Sequence, residues 1–149
     1  MDLLATYGTL LRPFGMQERL GVAEALSFVS PCVIPGTLYD LGRYPGAVPS
    51  SDGDTGRIQG ELYRLHDSRT LRRLDAYEGY DPDDEHSSLF VRRRVTLLRP
   101  DDRDAWVYWY NAGDALHAAP PGPPVPSGDW VAHVDGEARD WGPEDTVPD

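Results

Sequence analysis

The clearest candidate for chemistry in this chain is one carboxylate, Glu78, in the stretch Asp67 to Tyr80, DSRTLRRLDAYEGY. Leu71 and Leu74 lie three residues apart, and Glu78 lies four past Leu74 and seven past Leu71. At the helical period of ~3.6 residues per turn these positions share a face, so the carboxylate leans toward the same core as the leucines. A carboxylate aimed inward is costly unless it is paired, protonated or used. Glu78 also falls in the last helical turn, where the partial negative charge of the helix end disfavours a second one. Burial and helix end both raise its pKa toward the range in which a general acid or base works. The competing reading is a helix that frays early and leaves Glu78 as a solvated end residue. On either reading Asp67 or Ser68 offers an oxygen to cap the helix start, and Gly79 stands where the helix stops.

Other residues qualify less directly. In Tyr7-Gly8-Thr9-Leu10 the glycine opens backbone angles closed to other residues, so successive N–H groups can point one way and hold an anion. A plain strand-to-turn transition explains the same four residues. Arg92, Arg93 and Arg94 sit in a strand-like run, so their side chains alternate faces, and the inward one needs a carboxylate such as Asp75 or Glu78. Trp106, Tyr108 and Tyr110 share a strand face; such a stripe either packs the core or sends a tyrosine hydroxyl into a cavity. His66, His86, His117 and His133 show no paired ligand spacing, and the Asp81 to His86 cluster lacks the glycine and terminal glutamate of a calcium loop. No GxSxG, GxGxxG or GxxxxGK[ST] pattern occurs, which leaves serine-nucleophile and phosphate-cradle classes without support. Arg12 and Arg43, on expected loops, are secondary candidates for carboxylate binding.

The elements that must position these residues are short. Asp2 to Tyr7 reads as a buried first strand, Leu11 to Gly15 as a loop, and Met16 to Ala25 as a short helix. Leu26 to Ile34 returns to strand character, confined by Pro31 and Pro35 to an edge or a bend, and Thr37 to Leu41 reads as a further strand. GRYPGAVPS, from Gly42, reads as a loop and SDGDTG, from Ser51, as a turn. Arg57 to Leu65 is a strand in which Gly60 suggests a bulge. After the helix, Asp81 to Ser88 is an acidic loop. Leu89 to Leu98 and Ala105 to Asn111 are strands expected to pair through the turn RPDDRD. Pro120 to Pro126 is an extended connector, and a short last helix starts near Ser127 or Asp129.

The totals fit one soluble globular domain: 149 residues, 40% hydrophobic and 26% charged. The expected fold is α+β, a small, mostly antiparallel β-barrel with a few flanking short helices. The domain is expected over residues 1–135, with 136–149 a mobile acidic tail. A net charge of −11 argues against nucleic acid or anionic membrane as partner. The absence of a long apolar run and of a basic leader suggests the cytoplasm. All fourteen basic residues are arginine, so Schiff-base chemistry on a lysine is excluded. Cys32 is the only cysteine and, in an apolar strand, reads as a buried inert thiol.

Several short motifs follow one another in a particular order. Tyr7-Gly8-Thr9-Leu10 comes first, then Leu38-Tyr39-Asp40-Leu41-Gly42 with Tyr44-Pro45-Gly46, then Gly60-Glu61-Leu62-Tyr63. Leu74-Asp75 with Glu78-Gly79, Phe90 with Arg92-Arg93, Tyr108 with Asn111, and Ser127-Gly128-Asp129-Trp130 complete the series. In order and spacing, over roughly residues 3 to 131, this series resembles the gamma-glutamylcyclotransferase-like superfamily, in its AIG2-like and gamma-glutamylamine cyclotransferase branch. The resemblance implies a small barrel with a cavity at one end. It implies that Tyr7, Gly8, Thr9 and Leu10 hold the substrate's glutamyl part through backbone amides; from the aromatic stripe Tyr110 is the further candidate for binding substrate. It makes Glu78 the catalytic glutamate. The family commonly has tyrosine where this chain has Phe90, a hydroxyl lost beside the site.

The implied reaction is an intramolecular one: the α-amine of a γ-glutamyl compound attacks its own γ-carbonyl, closes a five-membered ring as 5-oxoproline and expels the other amine. It calls for no metal and no cofactor, and its partner is a small γ-glutamyl molecule. A second class remains open on the same residues, a non-enzymatic barrel that keeps the pocket to bind a small molecule. The sequence does not indicate the oligomeric state.

Overall fold

In a computed structural model the described residues are 2–49, 56–111 and 122–135. The expected turn from Ser51, the start of the proline-rich connector, His117 and the acidic tail lie outside them. Among the described residues six strands form one curled sheet, a half-barrel, with three short α-helices around it. The strands are β1 (Leu3–Thr6), β2 (Leu26–Asp40), β3 (Pro45–Pro49), β4 (Arg57–Leu65), β5 (Phe90–Thr96) and β6 (Asp104–Tyr110). The helices are α1 (Met16–Leu20), α2 (Thr70–Glu78) and α3 (Trp130–Asp135). The sheet order is β3-β2-β4-β1-β6-β5, antiparallel except where β1 runs parallel to β6. Curling brings β3 back toward β6, so close that a methyl added at Gly46 would stand 3.2 Å from Tyr110 Cβ.

The period of two sends alternate residues of each strand into two apolar layers. Ala5, Ile58, Leu62, Val107 and Trp109 fill the layer that receives Trp130 and Val134 of α3. Leu4, Tyr63, Tyr108 and Tyr110 point the other way, onto Met16 of α1 and Leu71 and Leu74 of α2. The helix that carries Glu78 is thereby seated on the face from which Tyr108 projects.

Several expectations are corrected. Leu26 to Leu41 is not two strands but the single fifteen-residue β2, bulged between Phe28 and Ser30. Pro31 and Pro35 do not interrupt it because their nitrogens face away from β4. Val33, of the same parity, sends its N–H that way to the Arg99 carbonyl at 2.9 Å. The bulge therefore lies in β2 and not at Gly60. Gly60 instead permits close approach, since an added Cβ would stand 2.5 Å from the Thr6 carbonyl oxygen. Part of the expected GRYPGAVPS loop is the edge strand β3, paired with β2 from Gly36 to Asp40, with prolines at its two ends where missing donors cost least. The helix from Met16 stops at Leu20 because Gly21 takes a left-handed conformation (φ 71°), and Ala23–Ala25 forms a separate 3-10 turn. Arg12–Phe14, expected as loop, is also a 3-10 turn.

Helix α2 starts at Thr70, and neither Asp67 nor Ser68 caps it with a side chain. Asp67 Oδ1 instead accepts the Arg69 N–H at 2.9 Å and turns the chain into the helix. Its far end is as expected: Gly79 is left-handed (φ 70°) and its N–H returns to the last turn. Asp129 caps α3 through the Ala132 N–H at 3.1 Å.

The acidic loop after α2 is laced to itself. Leu89 N–H reaches the Gly79 carbonyl at 3.0 Å, and Ser88 Oγ accepts the Asp81 N–H and donates to the Asp84 carbonyl. The Asn111 amide donates to the Glu85 and Ser88 carbonyls, both at 2.9 Å, while Glu85 is held by Arg93 and Tyr80.

Candidate active site

Between the end of β1, the start of β3 and the last turn of α2 lies a cleft of about 460 Å³, its open mouth included. Tyr7, Gly8 and Thr9 form one side; Tyr44 and Pro45 another; Tyr77 and Glu78 come from α2, Phe90 from β5 and Tyr108 from β6. The sequence-derived residues Tyr7, Gly8, Thr9 and Glu78 thus meet in one place. Tyr110 and the side chain of Leu10 do not line the cleft. Leu10 is buried under α1, its carbonyl accepting the Gln17 side-chain amide at 2.8 Å, and Tyr110 supports Phe90 edge-on from behind at 6.0 Å.

Glu78 reaches the cleft because of where α2 stops. Leu71 and Leu74 are buried, which fixes the rotation of the helix, and Gly79 ends it one residue after the glutamate. The carboxyl has no hydrogen-bond partner among the described residues. Burial, and next the negative charge of Asp75 one turn earlier, push its pKa up to about 8. The negative charge of Glu78 is felt in turn by the hydroxyls of Tyr7, Tyr44 and Tyr108, whose pKa values rise chiefly through burial.

Asp75 is buried and has quite different company. Arg92 Nε and Nη2 bind its two oxygens at 2.8 and 3.1 Å, and the Tyr108 hydroxyl donates to Oδ1 at 2.6 Å. Arg92 and Arg94 share one face of β5, as the strand period requires, and lie 4.5 and 4.7 Å from the centre of the Trp106 ring; of the two only Arg92, beside α2, is largely covered. Arg93, on the other face, and Arg94 are both half-exposed and pair with Glu85 and Asp2.

The turn at Gly8 supplies the opposite polarity. Leu11 N–H closes it onto the Gly8 carbonyl at 3.0 Å. Among the described residues nothing accepts the N–H groups of Gly8, Thr9 or Leu10, a run of donors of the kind that holds an anion. Glycine is needed at position 8, where a Cβ would stand 2.6 Å from Pro45 Cγ. Tyr7 is locked beneath the turn: its hydroxyl donates to the Tyr108 carbonyl at 2.5 Å and accepts the Ala47 N–H at 3.2 Å. The Thr9 and Tyr77 hydroxyls bond each other.

Arg12 and Arg43 do not line the cleft; Arg12 pairs with Glu61 at 3.2 Å and lies over the Phe28 ring. Tyr77 was not singled out in the sequence, although it directly precedes Glu78. The acidic loop contributes nothing to the lining. Among the described residues no group of three or more potential ligands could hold a metal ion. No helix among them is long and apolar enough to cross a membrane.

A curled half-barrel with a glutamate at a helix end facing a YGTL turn is the arrangement the motif series led one to expect. The chain belongs to the AIG2-like gamma-glutamyl cyclotransferase family, whose model matches residues 4–132. It is 35% identical over 126 residues to the gamma-glutamylcyclotransferase family protein YtfP of Escherichia coli, covering 84% of this chain and 92% of that one. The solution structure of E. coli YtfP superposes with a TM-score of 0.54 at 28% identity, over 79% of this chain and 88% of that chain. An AIG2-like protein from Mus musculus shares the fold at a TM-score of 0.57 and 20% identity, over 82% and 85%.

Proposed function

We propose that the chain is a cofactor-free cyclotransferase that releases 5-oxoproline from a γ-glutamyl amine or peptide. The observation that carries this reading is the meeting of Glu78 with the Gly8 and Thr9 amides in one cleft. The substrate's α-nitrogen forms a bond to the carbon of its own γ-carbonyl, and the bond from that carbonyl carbon to the leaving nitrogen breaks. Both reacting groups belong to one molecule, so the protein mainly has to hold it folded in attacking geometry. Glu78 takes the proton given up by the α-amine and returns it to the leaving amine. A pKa of about 8 suits both halves of that exchange near neutral pH. Amides at Gly8 to Leu10 hold the substrate carboxylate or the oxyanion that develops on the γ-carbonyl.

The test is release of 5-oxoproline from a panel of γ-glutamyl amines and dipeptides. Glu78→Gln should fold and lose roughly 10²–10⁴-fold in turnover, the usual worth of a positioned acid or base. Equal silence of wild type and variant across the panel would leave the cleft as a binding site without turnover. The favouring feature of that second reading is Phe90, an apolar ring where the family commonly places a hydroxyl.

A further inference from the structure

The hydroxyls in the cleft differ in what they have left to offer. A tyrosine hydroxyl has one proton to donate and lone pairs with which to accept. The Tyr108 proton goes to Asp75 Oδ1 at 2.6 Å. The Asp75 carboxylate, clamped by Arg92 at 2.8 and 3.1 Å and only 6% exposed, can accept that proton's hydrogen bond but return none. The Tyr7 proton is likewise spent, on the Tyr108 carbonyl. Both residues line the cleft beside Glu78, which itself only accepts when ionised. With Glu78 ionised, Tyr7, Tyr108 and Glu78 together therefore offer acceptors and no free proton, while the turn at Gly8 and Thr9 is rich in donors.

We propose that the Tyr108 hydroxyl is a hydrogen-bond acceptor for the α-ammonium of the bound substrate, with Asp75 and Arg92 as positioning residues that hold its proton out of the way. This assignment rests on the cyclotransferase reading for the identity of the cation. It gives the cleft a two-ended preference for a zwitterionic α-amino acid head, with the ammonium at Tyr108 and Glu78 and the carboxylate at the turn amides. A ligand lacking the ammonium leaves the acceptors facing nothing, and one with an acylated amine brings a single weaker donor and added bulk. Tyr108 is thus a residue that selects γ-glutamyl over glutaryl and N-acylglutamyl compounds.

The test uses two ligands that cannot cyclise: a γ-sulfonamide analogue of a γ-glutamyl amine, which keeps the α-ammonium, and the same molecule without the amine. Dissociation constants are measured by calorimetry. Tyr108→Phe keeps the ring and the Asp75–Arg92 pair. It should weaken the amino analogue by about 10–100-fold, the usual worth of a hydrogen bond to a charged group, and leave the des-amino analogue within about twofold. Equal losses for both ligands, or no loss for either, would overturn the proposal. Should Tyr108→Phe fail to fold, Glu78→Gln decides. A retained preference of tenfold or so for the amino analogue supports a second acceptor, and loss of all preference assigns the ammonium to Glu78 alone. Release of 5-oxoproline by the wild type is scored separately. A protein that discriminates the two analogues yet turns over nothing refutes the cyclotransferase and keeps the ammonium site.

Discussion

Asp75 and Glu78 stand one helical turn apart on the same side of α2, and their surroundings are opposite. Asp75 is gripped by a guanidinium and a phenol, whereas Glu78 has no hydrogen bond among the described residues and opens on the cleft. The first carboxylate is held at both oxygens and fixes the side chains around it. The second is left free to exchange a proton, and the charge of the first raises its affinity for one. Two carboxyl groups whose environments divide their tasks are a recurring source of acid–base function.

Stability should fall as pH rises through the titration of Glu78. An acid whose folded pKa, about 8, stands above its ordinary 4.5 binds its proton better in the native state. The stabilisation is full below 4.5 and is lost as pH climbs through 8. Glu78→Gln, which cannot ionise, should lack this dependence and exceed the wild type in stability above pH 8, by on the order of a few kcal/mol. Urea unfolding at acid and alkaline pH measures it, and parallel pH profiles for the two proteins would contradict the assignment.

Removing Arg92 should cost far more than removing a surface arginine. Its side chain and that of Asp75 are only 16% and 9% exposed, so Arg92→Ala strands a carboxylate in the interior, at about 3 kcal/mol. Adding Asp75→Ala should recover part of the loss, and equilibrium unfolding of the two singles and the double gives the coupling. Arg93→Ala, which breaks an exposed pair, should change stability by less than about 1 kcal/mol.

Gly8→Ala should injure both fold and cleft. The new methyl meets Pro45 Cγ at 2.6 Å, so the turn and the start of β3 must part. The expected cost is about 1–3 kcal/mol, together with loss of 5-oxoproline release as the amides of the turn shift. Thermal unfolding and turnover, measured on the same preparation, report the two effects.

Cys32 should resist thiol reagents in the native protein. It is 2% exposed, and burial, then the charge of Glu61, push its thiol up to about 12. Mass spectrometry after iodoacetamide should find it unmodified until denaturant is added; rapid native labelling would contradict the packing of β2 on β4.

What could be read in the chain was whatever depends on local period and local caps. The shared face of Leu71, Leu74 and Glu78, the stop at Gly79 and the β5–β6 pairing all follow from spacing, and all are present; spacing alternates the arginines but does not tell Arg92 from Arg94. What could not be read depends on partners distant in sequence. Pro31 and Pro35 look like breaks until β4 is known to lie on the side their nitrogens avoid. Gly42 to Ser50 reads as a loop because β3 is held by β2 and not by its own composition. In the site, Glu78 and the YGTL turn were identifiable, but no spacing rule reveals that the Tyr108 proton is taken by Asp75. The side chains of Leu10 and Tyr110 pack behind the cleft, while the Leu10 amide stays in the donor run of the turn.

The self-laced acidic loop has a practical consequence. Its ties begin at Gly79 and Asp81 and end at Ser88 and Leu89, leaving an exposed tip at Pro82 and Asp83. Because the stem is closed below that tip, extra residues placed there would be carried by the stem without levering on the end of α2. Pro82–Asp83 is therefore a place to graft an epitope or a reporter while leaving the geometry around Glu78 undisturbed.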